Sequence, residues 1–414
     1  MDVLLVTLGT AGDVHPFLAL GCELKRRGHQ VTLVSNPYFQ SWAESLGLGF
    51  EGFGTIEHYR EVLAEADLWH PFRGFKIMVR ELFLGSMQPA FEAIDRSRSD
   101  SCVLLAPGYL FGARVASEKF NLPLVTVVLQ PAALWSVDDP VVLAPHSWTR
   151  FLPRWLKTLV VMGIDYFFLE ALLAPETNRF RGQLGLPAQS RIATRWAYSE
   201  NLLIALFPQW FAPAVADWPE QLVQTGFISH ESFEASVLST ECETFLAAGE
   251  APILFTPGSG NCQAAEFFEV ATAACEQLGQ RGLFLTAFRD HLPKNLPDTI
   301  RHFEYLPFSR IFPRCKAIVH HGGIGTLAKG LAAGVPQLLM PLAFDQPDNA
   351  RRIKQLGVGD WIDPKHFEPD RVAKKLKALI ASDAVAEQCR QNALRVNTES
   401  ALADSCRVVE SVAG

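Results

Sequence analysis

The stretch VHHGGIGTLAKGLAAGVPQLLMPLAFDQPDNA, residues 319–350, carries the pattern on which the reading of this chain turns. A short apolar run ends in His320-His321 and a glycine-rich turn, a helix follows, and a second apolar run leads to Asp345-Gln346. A glycine-rich turn feeding a helix N-terminus presents backbone N–H groups and the positive end of the helix dipole, which together hold phosphate. His321, Gly323, Gly325 and Thr326 gather at that end. The Asp345-Gln346 pair, at the mouth of the following strand, suits hydrogen bonds to sugar hydroxyls. Phosphate at one end and hydroxyls at the other describe a nucleotide-sugar site.

Working outward, strands are expected at 252–256, 282–286, 301–305, 317–320 and 337–340, with helices at 264–278, 326–333 and 370–381 between and after them. The first half repeats the alternation. Residues 3–8 read as a strand buried on both faces, 9–13 as a turn, 16–27 as a helix and 30–35 as a second strand. Strands at 102–106, 123–129 and 201–207 and a helix at 112–120 continue it. Residues 137–195 depart from the pattern, with long helical stretches and interspersed prolines, and suit acceptor recognition. Alternating β and α in both halves predicts an α/β protein with two doubly wound Rossmann-like domains and the site between them. The expected boundaries are 1–215 and 225–395, with a C-terminal helix in 396–414.

A chain of 414 residues exceeds what one hydrophobic core usually supports. A net charge of −7 without a basic run excludes nucleic acid as an expected partner. The 8 cysteines are scattered, as reduced core thiols are, and the N-terminus lacks the basic segment of a signal peptide, so a cytoplasmic location is expected. The most apolar stretch, 155–174, is interrupted by Lys157, Asp165 and Glu170 and is read as a buried or groove-lining helix, with peripheral membrane contact as the other expectation. The 29 Phe and 9 Trp suit an apolar acceptor pocket or simply full cores. Neither Gly9-Thr10-Ala11-Gly12 nor His321-Gly322-Gly323-Ile324-Gly325 makes a dinucleotide fingerprint, and no Walker lysine is present.

The 319–350 block resembles the donor signature of inverting nucleotide-sugar glycosyltransferases of the UDP-glycosyltransferase superfamily, whose fold is GT-B. The resemblance implies that His321, the second histidine, meets the diphosphate together with Gly323, Gly325 and Thr326, and that Asp345 and Gln346 meet the sugar. It adds Ser259, in the loop 256–260, as a second diphosphate contact, and Tyr305 of Tyr305-Leu306-Pro307 as the ring against the base. No metal or other cofactor is implied. The fold implies an interdomain cleft and a last helix that crosses back to the N-terminal domain.

Inverting transfer needs a base to take the acceptor's proton. Asp13, in the loop after the first strand, is assigned that role, with His15 as the rival and Gly12 on the donor side. Capping of the following helix is the structural reading of Asp13, capping or packing that of His15. Relatives of the plant type carry a His-Asp dyad here, whereas this chain has Asp13 and, at the later strand, Ala106-Pro107. The segments GTAGDVHPFLALGCELKRRGH, APETNRF, WFAP, DWP and TGF resemble rhamnolipid-type rhamnosyltransferases, and sterol glucosyltransferases share the GDV-x-P loop and the HHGG-x-GT block. Both branches take hydrophobic acceptors, a lipid, sterol or polyketide in the wider family, while their donors, dTDP-rhamnose and UDP-glucose, differ. The expected activity is hexose transfer from one of these donors to a hydroxyl of such an acceptor, and the alternative is an inactive partner or activator protein.

Overall fold

In a computed structural model of the chain, residues 1–70, 72–142, 151–228, 238–258, 261 and 264–412 are described. The chain divides into two units, one formed mainly by the residues before 229 together with the C-terminal helix, the other by the segment between them.

The first unit is built on seven strands: β1 (Asp2–Val6), β2 (Gln30–Ser35), β3 (Gly49–Gly52), β4 (Val103–Ala106), β5 (Leu124–Val128), β6 (Leu202–Ala205) and β7 (Leu222–Gln224). Their order is β3-β2-β1-β4-β5-β6-β7, with every neighbouring pair parallel. An all-parallel sheet is covered on both faces, so its central strands carry uninterrupted apolar runs. Accordingly Val3, Leu5 and Val6 of β1 are fully buried. The helix Phe111–Phe120 follows β4, and the helix Ala11–Arg26 follows β1 with Pro16 in its second turn. Sequence reasoning missed β3 and β7, and the residues after 215 that it gave to the interdomain connection include an edge strand of the first sheet.

The second unit has six parallel strands: β8 (Ile253–Thr256), β9 (Gly282–Leu285), β10 (Ile300–Phe303), β11 (Ala317–His320), β12 (Gln337–Leu339) and β13 (Gly359–Trp361). They run in the order β10-β9-β8-β11-β12-β13. Ring contacts among Phe255, Phe267, Phe268 and Phe284 fill one side of this sheet, with Phe367 stacked on Phe267. Many of the 29 Phe are thus core residues.

Two features outside the sheets bear on function. The expectation of a buried helix at 155–174 is corrected: Arg154–Gln183 is one continuous helix of 30 residues, and only 17% of its most apolar window is buried. Trp155, Leu159, Met162 and Tyr166 recur at helical spacing along one stripe, and Tyr166 and Phe167 are 71% and 79% exposed. Asp165 turns inward to Thr194 and Arg191, and Glu170 accepts from the Ile192 N–H, so the acidic residues leave that stripe apolar. The second feature is the C-terminal helix Thr398–Glu410, which packs against Ala11–Arg26 within the first unit. Cys406 and Val409 are fully buried there, and Glu410 pairs with Arg27 at 3.0 Å and His29 at 2.9 Å.

The apolar contact is the stronger of these two bonds, because partly exposed ion pairs contribute about 0–1 kcal/mol. Val409→Ala is therefore expected to cost about 2 kcal/mol of stability, and Glu410→Ala less than about 1 kcal/mol, in urea unfolding. Equal losses would show that the ion pairs hold the helix.

Candidate functional site

A sheet wound in both directions from one strand pair opens a crevice where the connections leave to opposite faces. In the first unit that pair is β1 and β4. The loop after β1 turns at Gly9, whose φ of +133° favours glycine, and a Cβ there would lie 2.4 Å from the Asp13 Oδ2. Thr10 caps the helix Ala11–Arg26, and Asp13 is its third residue, not its cap as the sequence had suggested. The Asp13 carboxylate folds back to accept from the Thr10 N–H at 2.8 Å and the Thr10 Oγ1 at 3.1 Å. This is the reach-back of a capping box, and it places negative charge at a helix N-terminus.

Those hydrogen bonds lower the Asp13 pKa, but burial outweighs them and raises it to about 6. From the loop after β4, Tyr109 donates to the Leu8 carbonyl at 2.7 Å and stacks on Phe83. Its phenol is pushed well above the usual range by burial first and by the Asp13 charge second. Tyr59 is raised by burial, then by Tyr38 and Asp13. Tyr59 also contacts Tyr38 and Phe39, and Trp42 packs on Phe39. His15 stacks on Trp42 at 5.1 Å, so the packing reading of this residue has a visible basis. Two residues along a helix is a turn of about 200°, which sends His15 and Asp13 to different sides. Gly12 is exposed, and a Cβ there would approach only the Thr10 Oγ1, at 3.6 Å.

In the second unit the reversal lies between β8 and β11. The His321 ring sits between the loops that leave them. A Cβ on Gly258 would lie 2.6 Å from the His321 ring, and one on Gly323 would lie 2.5 Å from its Nε2. Glycine at both positions is what admits the imidazole. Desolvation depresses the His321 pKa to about 4, so the ring is neutral at pH 7. His320 is fully buried and depressed further, to about 3, by burial and then by His321.

The Gly322 N–H donates to His320 Nδ1 at 3.1 Å, which fixes the proton on Nε2, where His320 donates to Gln337 Oε1 at 2.9 Å. Gln337 donates onward to the Leu327 carbonyl. His320 is thus a structural element beneath the loop. The helix Ile324–Ala333 starts at Gly323, with Gly325 exposed and Thr326 partly exposed in its first turn.

The loop after β12 leads to the other end of the site. Phe344 adopts φ +61°, a left-handed conformation uncommon for an aromatic residue, immediately before Asp345. Asp345 precedes the helix Gln346–Gln355 without capping it through its side chain, and accepts instead from Asn349 Nδ2 at 2.6 Å. Gln346 is 2% exposed, and its Oε1 accepts from the Leu342 and Ala343 N–H groups. That commits its carbonyl oxygen to the loop. Tyr305 is 54% exposed two residues after β10, and Leu306 next to it is buried. Ser259 lies outside the described residues.

Asp13 and Tyr109 thus stand at the first reversal and His321 and Gly323 at the second, where Asn349 links Asp345, from the loop after β12, to the Gly322 carbonyl, whereas Tyr305 follows the edge strand β10. Sequence reasoning missed Gly9, Tyr109, Gln337 and Asn349. The spacing of Asn349 from Asp345, one helical turn, was the available signal for the last. Among the described residues no three His, Cys, Asp or Glu side chains gather as a metal ligand set.

Two family models match: the glycosyltransferase family 28 N-terminal domain over residues 3–133, and the C-terminal domain of erythromycin biosynthesis protein CIII-like proteins over residues 284–410. The chain is 30% identical over 369 residues to an uncharacterised glycosyltransferase of Mycobacterium leprae, covering 87% of this chain and 84% of that one. It is 28% identical over 435 residues to the O-mycaminosyltylonolide 6-deoxyallosyltransferase of Streptomyces fradiae, covering 99% and 97%. Among solved structures, the glycotransferase of kitacinnamycin matches with a TM-score of 0.77 at 20% identity, over 100% of this chain and 99% of that one. The spinosyn rhamnosyltransferase SpnG complexed with thymidine diphosphate matches with a TM-score of 0.65 at 19% identity, over 98% and 99%.

The raised Asp13 pKa makes a prediction that needs no substrate. A carboxyl whose folded pKa, about 6, exceeds its ordinary value of 3.8 contributes stability below the lower value, and that contribution is lost as pH rises through the higher one. The melting temperature of Asp13→Asn relative to the natural protein should thus climb between pH 4 and 7 and then level. A difference independent of pH would mean that the carboxyl is fully solvated.

Proposed function

The chain belongs to the glycosyltransferases, with a family 28 N-terminal domain, an EryCIII-like C-terminal domain and the GT-B fold, and we propose that it transfers a hexose with inversion to a hydroxyl of a hydrophobic acceptor, using Asp13 as the base. The observation that carries this reading is the Asp13 carboxyl at the β1/β4 reversal with its pKa raised to about 6. Such a group is ionised at pH 7 and still basic enough to take a proton.

As the acceptor oxygen attacks the anomeric carbon, its proton passes to an Asp13 oxygen. The bond from that carbon to the diphosphate oxygen breaks on the opposite side, and the diphosphate leaves with the electron pair. The amides at the start of Ile324–Ala333, the Thr326 hydroxyl and neutral His321 are the groups we assign to the departing charge. Asp345 and Gln346 are assigned to the sugar and Tyr305 to the base. Gly12, exposed beside Asp13, is assigned to the donor side of the reacting centre. We propose metal-independent transfer, the helix N-terminus supplying what a cation otherwise would.

For the donor we favour a dTDP-linked 6-deoxyhexose. The supports are the names of the Streptomyces fradiae 6-deoxyallosyltransferase and of the spinosyn rhamnosyltransferase complexed with thymidine diphosphate. The former also names a macrolide-type acceptor, and a sterol 3-beta-glucosyltransferase of Arabidopsis thaliana is 26% identical over 384 residues. A polyketide or lipid acceptor accords with the rings around Asp13 and with the exposed stripe on Arg154–Gln183. An open groove of about 470 Å³ runs beside that stripe, lined by Tyr166, Phe167, Ala174 and Pro175 with Glu170 and Asn178 among them. The same stripe would meet a membrane if the acceptor resides there.

A screen of dTDP- and UDP-sugars against apolar alcohols, read with and without chelator, tests the assignment. We expect kcat/KM to fall about tenfold per pH unit below pH 6, and Asp13→Asn to lower kcat by at least about 10²-fold while donor affinity is kept. Asp13→Asn within tenfold of the natural enzyme, with His15→Ala inactive, would move the base to His15. Donor binding with neither transfer nor hydrolysis across the screen would instead favour a partner-protein role.

The acceptor assignment has its own test. Tyr166→Ser and Phe167→Ser should raise the acceptor KM several-fold without changing the donor KM. Unchanged acceptor KM values would detach the stripe from acceptor capture.

A further inference from the structure

The two ends of the donor site in the second unit are tied by one side chain, Asn349. It lies one turn into the helix Gln346–Gln355 and is fully buried. Its amide nitrogen donates twice, to the Gly322 carbonyl at 2.9 Å and to Asp345 Oδ2 at 2.6 Å. An amide has two N–H groups, and here each meets an acceptor. The flipped orientation would set the amide oxygen against a carbonyl and a carboxylate, so the hydrogen bonding settles which way the group points. The amide oxygen is itself buried without a hydrogen-bond partner among the described residues. That cost is tolerated at a position where two donations from one group are required.

The consequence reaches the phosphate loop. Gly322 has φ +95°, its N–H is taken by His320 and its carbonyl by Asn349. Both polar groups of this residue are thus held by side chains, so the peptides flanking it cannot turn to follow a ligand. The same Asn349 amide restrains the Asp345 carboxylate, which follows the left-handed Phe344.

We propose that Asn349 is a positioning residue that sets the separation and angle between the diphosphate loop and the Asp345 carboxylate, and so determines how much binding the donor's sugar adds to that of its nucleotide. This rests on the assignment of Asp345 to the sugar. A group that merely supported the fold would weaken nucleoside diphosphate and nucleotide-sugar alike. A group that sets the spacing changes their ratio.

The experiment measures Kd for dTDP and for dTDP-rhamnose, and for the UDP and UDP-glucose pair, by calorimetry on the full-length protein. Asn349→Ala, Asp345→Ala and the double variant are compared with the natural protein. We expect the ratio of diphosphate Kd to nucleotide-sugar Kd to fall at least fivefold in Asn349→Ala. It should fall little further in the double variant, because the two residues act as one unit. Kinetically, the donor KM of Asn349→Ala should rise more than its kcat falls.

Asn349→Ser keeps the site small and leaves a single donor. It provides the same measurement if the alanine variant does not fold, and must likewise lower the ratio. An unchanged ratio with both affinities reduced together would overturn the proposal, as would strictly additive effects in the double variant. A natural protein whose ratio is already one, for both pairs, would instead remove the assignment of Asp345 to the sugar, and the inference with it.

Discussion

Everything at these sites depends on one constraint of parallel sheets: connections leave the C-terminal ends of the strands, and where winding reverses two neighbouring loops part and leave room. The first sheet reverses between β1 and β4, the second between β8 and β11. At the first reversal stands a carboxylate, at the second an imidazole. In both, glycine makes the space, Gly9 for Asp13 and the pair Gly258 and Gly323 for His321. Topology chooses the place, and the missing Cβ atoms let a functional group occupy it.

Desolvation then acts on the two groups in opposite directions with a common result. It penalises charge, so it raises Asp13 to about 6 and lowers His321 to about 4. The carboxylate becomes a better base while remaining ionised at pH 7. The imidazole becomes a neutral dipole, able to offer one N–H and no net charge. A protonated His321 would hold a diphosphate more tightly before transfer as well as after it, and uniform binding of that kind does not speed the chemical step. On the proposed assignment of His321, a neutral donor beside helix amides favours the charge that develops on departure.

The sequence disclosed the central strands because burial on both faces leaves no choice of residue: β2 and β11 fall where the apolar runs lie, and β1, β4, β5 and β8 differ from them by a residue or two at their ends. The strands β3, β7 and β13, with the sequences GFEG, LVQ and GDW, were not legible. They are short sheet edges with one neighbour each, and half their positions need not be apolar. For the helix 154–183, the buried alternative of its reading failed for the converse reason. Apolar residues normally imply burial, whereas here they form an exposed stripe, and nothing in a linear pattern says which stripe is covered. At the candidate site the glycine-histidine motif was visible, but its supports were not. Tyr109, Gln337 and Asn349 are separated from their partners by 101, 17 and 27 residues, so only the fold reveals those bonds.

Three of the costly features in this structure lie in or beside these loops. Phe344 is held left-handed, the Asn349 oxygen is unpartnered among the described residues, and Asp13 carries a carboxyl whose charge burial disfavours. The Thr10 hydrogen bonds offset only part of the cost at Asp13. The persistence of all three requires a frame that would lose more by relaxing, and the fully buried strands beside them, β1 with Val3, Leu5 and Val6 and β11 with Ala317, Ile318 and Val319, are that frame. Strain placed at the ends of such strands cannot propagate inward, because a one-residue slip in either strand would turn its side chains to the other face. Rigidity of the sheets is therefore what allows a desolvated carboxyl and a neutral imidazole to be kept in states that each would leave if free.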